Sequence, residues 1–328
     1  MVTIRLYFAI ILLCVAPACT PVVKPMSAAI NGPSISGNAL IARDGAILPL
    51  KTWLPDKKPQ VVIVALHGFN HYSNAIAMPA GYWAKRGIAT YAYDQRGFGG
   101  APNRGYWPGL RTLISDFHDA IKVVAARHKG IPIFVMGVSM GGAVVMAALA
   151  QNPIEGIEGA LLIAPAVWGR NQMNVIQRGA LWFLSNTMPW LTVTGQGLNI
   201  KPSDNMKMLR GLSRDTKLIR HTRIDAIKGL VDLMDTAFAA APKLGQTPLF
   251  IAYGLKDEII PRKPTIDVMR RLPANSATRR ALYKTGYHLI LRDTKAKLLW
   301  RDVATWIRDQ SKSLLSGADK RAEKLLSD

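Results

Sequence analysis

Five residues set the frame for this chain: Gly137-Val138-Ser139-Met140-Gly141. An apolar run at 131–136, with the length of a buried strand, precedes them. A helix-length apolar segment at 143–150 follows. Strand, sharp turn and helix is the context in which Gly-x-Ser-x-Gly carries chemistry. The turn strains the serine backbone and lifts its hydroxyl above the end of a sheet. The flanking glycines are required because neighbouring backbone comes too close for a Cβ. Composition alone produces the pattern in roughly one chain in ten of this length. A plain glycine turn is therefore the alternative, and the rest of the chain must decide.

Strand-length apolar runs recur at 61–66, 88–93, 159–164, 248–253 and 280–283, with helical periodicity between several of them. Leu113, Phe117, Ala120, Ile121 and Val124 share one such helical face. Other helices are expected at about 74–86 and from about Asp293. Runs at 40–42 and 47–54, joined through Asp44-Gly45, read as a hairpin. Strands alternating with helices predict an α/β fold with a mainly parallel central sheet and helices on both faces. Ligands in such sheets bind at the carboxyl ends of the strands.

After the sixth strand, 159–164, the next strand is delayed far beyond the ~2–6 residues of an ordinary connection. The intervening segment has its own helical face (Ile224, Ile227, Val231, Met234, Phe238), with Thr222 available as N-cap. It reads as a helical cap roofing the rim. Its Trp182, Phe183 and Trp190 are expected either in the cap's own core or against an acyl chain or membrane. The expected division is a signal peptide at 1–18, a tether at 19–37, core at 38–167 and 247–312, the cap at 168–246, and a polar tail at 313–328.

Three side chains follow strand ends in the order Ser139, Asp257, His288. A serine hydroxyl needs a base to take its proton as it attacks. Histidine titrates in the right range, and a carboxylate on its far nitrogen fixes the tautomer and steadies the imidazolium. The amides of Met140, at a helix N-terminus, and of Phe69, after the His67-Gly68 turn, are suited to an oxyanion hole. The competing polar residues have plainer readings. His67 is a turn residue and His71 a polar loop residue. Asp94 and Arg96 form a structural turn, and His118 and His128 lie at the solvent edge of a helix. Glu258 is one residue out of step, and His221 lies within the cap. The six histidines show no metal-ligand spacing, and no cofactor is expected.

The net charge of +21, from 42 Lys+Arg against 21 Asp+Glu, favours anionic partners. No nucleic-acid module is visible, so an anionic membrane surface is the expected partner. Oligomeric state is not legible. Arg5 precedes an apolar stretch at 6–15, too short to span a bilayer comfortably, and then Ala16-Pro17-Ala18-Cys19. Small residues before a cysteine resemble a bacterial lipoprotein signal, although Ala16 stands where that signal usually has leucine. The readings are an exported envelope protein lipidated on Cys19, plain secretion, or an uncleaved anchor.

Residues from about 40 to 310 resemble the monoglyceride lipase and lysophospholipase branch of the α/β-hydrolases, the serine aminopeptidase S33 group. The resembling stretches are His67-Gly68, Tyr93-Asp94-Gln95-Arg96-Gly97-Phe98-Gly99, Gly137 to Gly142, Gly254-x-x-Asp257 and Gly286-Tyr287-His288. The resemblance implies Ser139 as nucleophile, Asp257 and His288 as its partners, and the Phe69 and Met140 amides as oxyanion donors. Val138, Asn70-His71 and Ala101 depart from the family pattern without touching those residues. The expected substrate is an ester of a single acyl chain, a monoacylglycerol or a lysophospholipid. The alternatives are a small-peptide or amide hydrolase of the same fold, and a non-catalytic lipid-binding envelope protein.

Overall fold

The computed structural model describes residues 20–245, 247–274 and 277–327. The stretch expected to be a signal peptide, with Cys14 and Cys19, lies outside the described residues.

A nine-stranded sheet runs through the molecule in the order β1-β2-β3-β5-β4-β6-β7-β10-β11. Its antiparallel edge is β1 (Ser34–Ser36), β2 (Ala39–Ile41) and β3 (Ile47–Trp53). The remaining six strands are parallel to one another, with β5 meeting β3 antiparallel: β4 (Val61–Leu66), β5 (Ile88–Tyr93), β6 (Ile133–Val138), β7 (Gly159–Ile163), β10 (Leu249–Gly254) and β11 (Arg279–Tyr283). β8 (Thr192–Val193) and β9 (Thr222–Arg223) pair separately within the cap. The expected hairpin is present. The additional strand β1 makes the cap follow the seventh strand in chain order rather than the sixth.

Continuous apolar runs make the central strands because both faces of this sheet are covered. Along β4, Val62, Val64 and Leu66 enter one core, and Val61, Ile63 and Ala65 enter the other. The first core packs under α2 (Leu110–Arg127) and α3 (Met140–Gln151). The second packs under α1 (Ala77–Ala84) and α8 (Lys297–Arg308), where Trp83 and Trp306 are fully buried.

Several boundaries differ from those expected, each for a visible reason. The helix expected at 74–86 opens as a 3-10 turn at Ser73–Ile76 before α1 begins. The helix expected from Asp293 starts at Lys297. The Asp293 carboxylate is held in a preceding turn, accepting from Ser203 Oγ at 2.5 Å and the Tyr287 amide at 2.7 Å. The described part of the expected tether is laid along the body. Lys24 donates to Trp107 O at 2.8 Å, Met26 to Thr112 Oγ1 at 3.0 Å and Ser27 to Asp44 Oδ2 at 3.0 Å. The expected polar tail forms α9 (Ala318–Ser327), which buries Ala318 and Ala322 at helical spacing and docks Arg321 on Leu282 O at 2.7 Å.

The cap comprises α4 (Val175–Thr187), α5 (Met206–Arg214), α6 (Ile224–Ala240) and the β8–β9 pair. A reciprocal Asn174–Gln177 capping box starts α4. Arg223, not Thr222, is the N-cap of α6, because the Thr222 hydroxyl accepts from Asn70 Nδ2 at 2.7 Å. After α6, α7 (Arg262–Arg271) follows β10.

Candidate active site

Ser139 stands between β6 and α3 with φ 52° and ψ −114°, a backbone conformation that side chains other than glycine rarely adopt. The surrounding backbone enforces it. Ser139 N donates to Ile163 O at 2.9 Å, and Ala166 N donates to Ser139 O at 3.0 Å. A Cβ on Gly137 would lie 2.3 Å from Gly141 O, and one on Gly141 would lie 2.6 Å from Leu66 O. Both glycines are therefore steric requirements of the turn.

The turn after β10 carries Asp257, and the loop after β11 carries His288. They approach because Gly254 lies against Gly286, where a Cβ would come within 2.4 Å of the Gly286 carbonyl carbon. His288 Nε2 is 3.0 Å from Ser139 Oγ, and His288 Nδ1 is 2.7 Å from Asp257 Oδ2. The other oxygen of Asp257 accepts the Ile259 and Ile260 amides at 2.8 and 2.9 Å, which fixes the carboxylate plane. The Asp257 side chain is fully buried and His288 nearly so. A neutral ring that donates from Nδ1 to Asp257 turns Nε2, as acceptor, to the serine hydroxyl.

Gly68 brings the end of β4 close to the serine, since a Cβ there would sit 3.3 Å from Ser139 Cβ. The amides of Phe69 and Met140 donate to no acceptor among the described residues. His71, expected as a plain loop residue, instead lines the cavity beside Ser139, while the other competing side chains lie elsewhere or do structural jobs. His67 is fully buried, with Nδ1 2.8 Å from Gly68 O and Nε2 accepting from Gln95 N at 3.0 Å. Burial pushes its imidazole down to about 4. Glu258 is exposed and accepts the Lys201 amide of the cap at 2.7 Å. His221 is exposed, and His128 meets the Tyr91 hydroxyl at 2.8 Å.

Asp94 and Arg96 do not pair with each other. Asp94 accepts the Ser73 and Gly100 amides, both at 2.9 Å. Arg96 pairs with Asp44 of the hairpin at 2.6 Å and with Asp116 of α2 at 2.8 Å, and all three side chains are buried.

Ser139 and His288 open into a cavity of about 560 Å3 between core and cap. Its walls are apolar: Val138, Trp168, Met173, Leu209, Ile227, Leu230, Val231 and Met234 are among them. His71, Ser213 and Arg292 are polar members of the lining, and among the described residues no aspartate or glutamate belongs to it. Spacing in the sequence does not mark Arg292. Nor does it mark the two amides that orient Asp257.

Residues 57–295 match the family described as serine aminopeptidase, S33. The chain belongs to that family. Among curated relatives of this S33 member, the monoacylglycerol lipase of Mycolicibacterium smegmatis is 26% identical over 266 residues, 80% of this chain and 93% of that protein. The monoglyceride lipase of Homo sapiens is 23% identical over 288 residues, 83% of this chain and 90% of that one. Among solved structures, a soluble variant of monoglyceride lipase from Saccharomyces cerevisiae in complex with a substrate analog superposes with a TM-score of 0.71 at 17% identity, covering 90% of this chain and 99% of that one. A monoacylglycerol lipase from Paleococcus ferrophilus gives 0.64 at 20%, covering 80% and 99%. The fold is that of the α/β-hydrolases, with its helical cap.

The buried histidine outside the Ser139 site makes a prediction about acid stability. The folded-state value of His67, about 4, lies below the ~6.5 of an unfolded histidine. The unfolded chain therefore takes up the proton first. Stability is complete above about pH 6.5 and falls as pH drops toward 4, by roughly 3 kcal/mol from this group. Denaturant unfolding at pH 7 and pH 4.5 checks it, and equal stability at both would contradict it.

Proposed function

We propose that this S33 protein is a serine hydrolase that cleaves esters of a single acyl chain. The hydrogen-bonded series Ser139–His288–Asp257, opening on an apolar cavity, carries the reading. His288 Nε2 accepts the Ser139 proton as Oγ attacks the ester carbonyl. Asp257 stabilises the imidazolium, and the Phe69 and Met140 amides receive the developing oxyanion, each donor worth about 3–4 kcal/mol. Collapse transfers the proton from His288 to the leaving alcohol and leaves an acyl group on Ser139. Water, activated by His288, then releases the fatty acid. A lining without a carboxylate favours an acyl chain over a free peptide amino group, which would need a counter-ion there. The curated relatives named above bear the names monoacylglycerol lipase and monoglyceride lipase, in keeping with this reading.

We further propose that the protein works at an anionic membrane surface, as an exported envelope protein. The export part rests on the sequence of residues 1–19, with Cys19 as the residue open to lipidation. The surface part rests on α4 and the segment after it. Trp182, Phe183 and Trp190 are 69%, 54% and 51% exposed, so they do not form the cap's core. Ile176 and Leu198 are also exposed. No helix among the described residues is long and apolar enough to cross a membrane.

The test presents a monoacyl ester in phosphatidylglycerol vesicles to the wild type and to a W182S/F183S variant. Turnover and vesicle binding are expected in the wild type. Loss of about 2 kcal/mol of apolar burial should weaken binding by roughly thirtyfold in the variant. Unchanged binding would remove the surface proposal, and absence of turnover on any acyl ester would remove the enzymatic one.

A further inference from the structure

Four residues beyond His288, Arg292 lines the same cavity. Its Nε is buried without a hydrogen-bond partner among the described residues. The charge of Asp215 reaches the guanidinium, but the carboxylates nearby hydrogen-bond elsewhere. Asp215 accepts the Tyr72 hydroxyl at 2.8 Å and the Lys217 amide at 2.9 Å. Asp293, next in the chain, is held by Ser203 and Tyr287. Burial disfavours the charged form of Arg292, yet an arginine remains protonated in proteins. A half-buried guanidinium that feels an acid's charge but has no direct ion-pair partner among the described residues keeps its hydrogen-bonding capacity free for an anion. A ligand anion would supply the direct partner, and the planar guanidinium fork matches a phosphate with two hydrogen bonds at once.

His71 lines the same cavity and feels the Arg292 charge. Burial, with that charge, holds its ring neutral down to about 3. A neutral imidazole still offers one N–H donor. The cavity thus combines long apolar walls, an unpaired guanidinium, a neutral donor, and the Ser139–His288 pair. A neutral glycerol headgroup would leave the guanidinium unpaired.

We propose that Arg292, assisted by His71, selects a monoacyl ester whose headgroup carries a phosphate, of lysophospholipid type, over a neutral monoacylglycerol. The proposal rests on the ester-hydrolase reading and names the substrate of that site.

Inhibition of a short neutral ester's hydrolysis tests it, with dodecyl phosphate, dodecanol and inorganic phosphate as competitors. Dodecyl phosphate is expected to compete at least about tenfold more tightly than dodecanol in the wild type. That preference should fall below about threefold in R292M and be partly restored in R292K, which keeps the charge without the fork. Equal competition by phosphate and alcohol in the wild type would overturn the proposal, as would a preference that survives R292M. Inorganic phosphate competing as tightly as dodecyl phosphate would overturn the headgroup assignment in favour of a free-anion site. Should no ester be hydrolysed, the enzymatic reading fails by itself. Calorimetric binding of dodecyl phosphate against dodecanol then still decides the role of Arg292, in wild type and variants alike.

Discussion

Ser139→Ala and Ser139→Gly should both lose ester hydrolysis by a factor on the order of 10^5 to 10^6 in kcat, since the nucleophile acts as one unit with its base. The two variants should nevertheless differ in stability. Both lack the hydroxyl and its bond to His288, so that loss cancels between them. Alanine keeps a Cβ at φ 52°, where strain of about 1–3 kcal/mol is stored. Glycine relieves it, less roughly 0.5–1 kcal/mol for its greater freedom in the unfolded chain. The glycine variant is therefore expected to be more stable by about 1–2 kcal/mol, read as a shift in denaturant midpoint at constant slope. Alanine matching or exceeding glycine would refute the strained turn. Hydrolysis surviving in either variant would refute Ser139 as nucleophile.

The second large effect lies away from the chemistry. Arg96→Met should destabilise the protein by about 3–5 kcal/mol, because it strands Asp44 and Asp116 as buried carboxylates without their cation. In a chain of this size that lowers Tm by roughly 5–8 °C. R96K should fall between, since an ammonium lacks the fork that reaches both acids. The loss should also reach activity. Arg96 adjoins Gln95, whose amide and side chain both hold His67, and His67 fixes the turn that presents the Phe69 amide. Calorimetry with parallel ester kinetics checks both effects. A melting temperature within a couple of degrees of wild type would mean that the two acids find other partners.

These two sites also show what could be read from residues alone. The Ser139 turn was legible because its requirements are local: an apolar strand, two glycines that exclude a Cβ, and a helix. Asp257 and His288 were legible because a parallel sheet brings strand ends to one rim, and each follows a strand. The structural role of Asp94 and Arg96 is legible, but the partners of Arg96 are not, since Asp44 and Asp116 reach it from a hairpin and a helix distant in sequence. Arg292 carries no motif, and only the meeting of core and cap shows that it is unpaired. Both ends of the described chain differ from expectation for a related reason. Prolines and polar residues between 20 and 33 suggest a free tether, yet their backbone groups find partners on the body. The charged C-terminus hides the small residues Ala318 and Ala322, whose helical spacing docks α9 on β11. The aromatic cap residues were open between core and surface, and only their exposure separates the two.

The central claim is that Ser139 is an activated nucleophile. Reaction of the purified protein with a tagged fluorophosphonate, followed by peptide mass spectrometry, addresses it most directly. The expected result is one covalent label on Ser139, absent from Ser139→Ala and strongly slowed when His288 is replaced. A folded wild type that takes no label, or takes it on another residue, would contradict the claim.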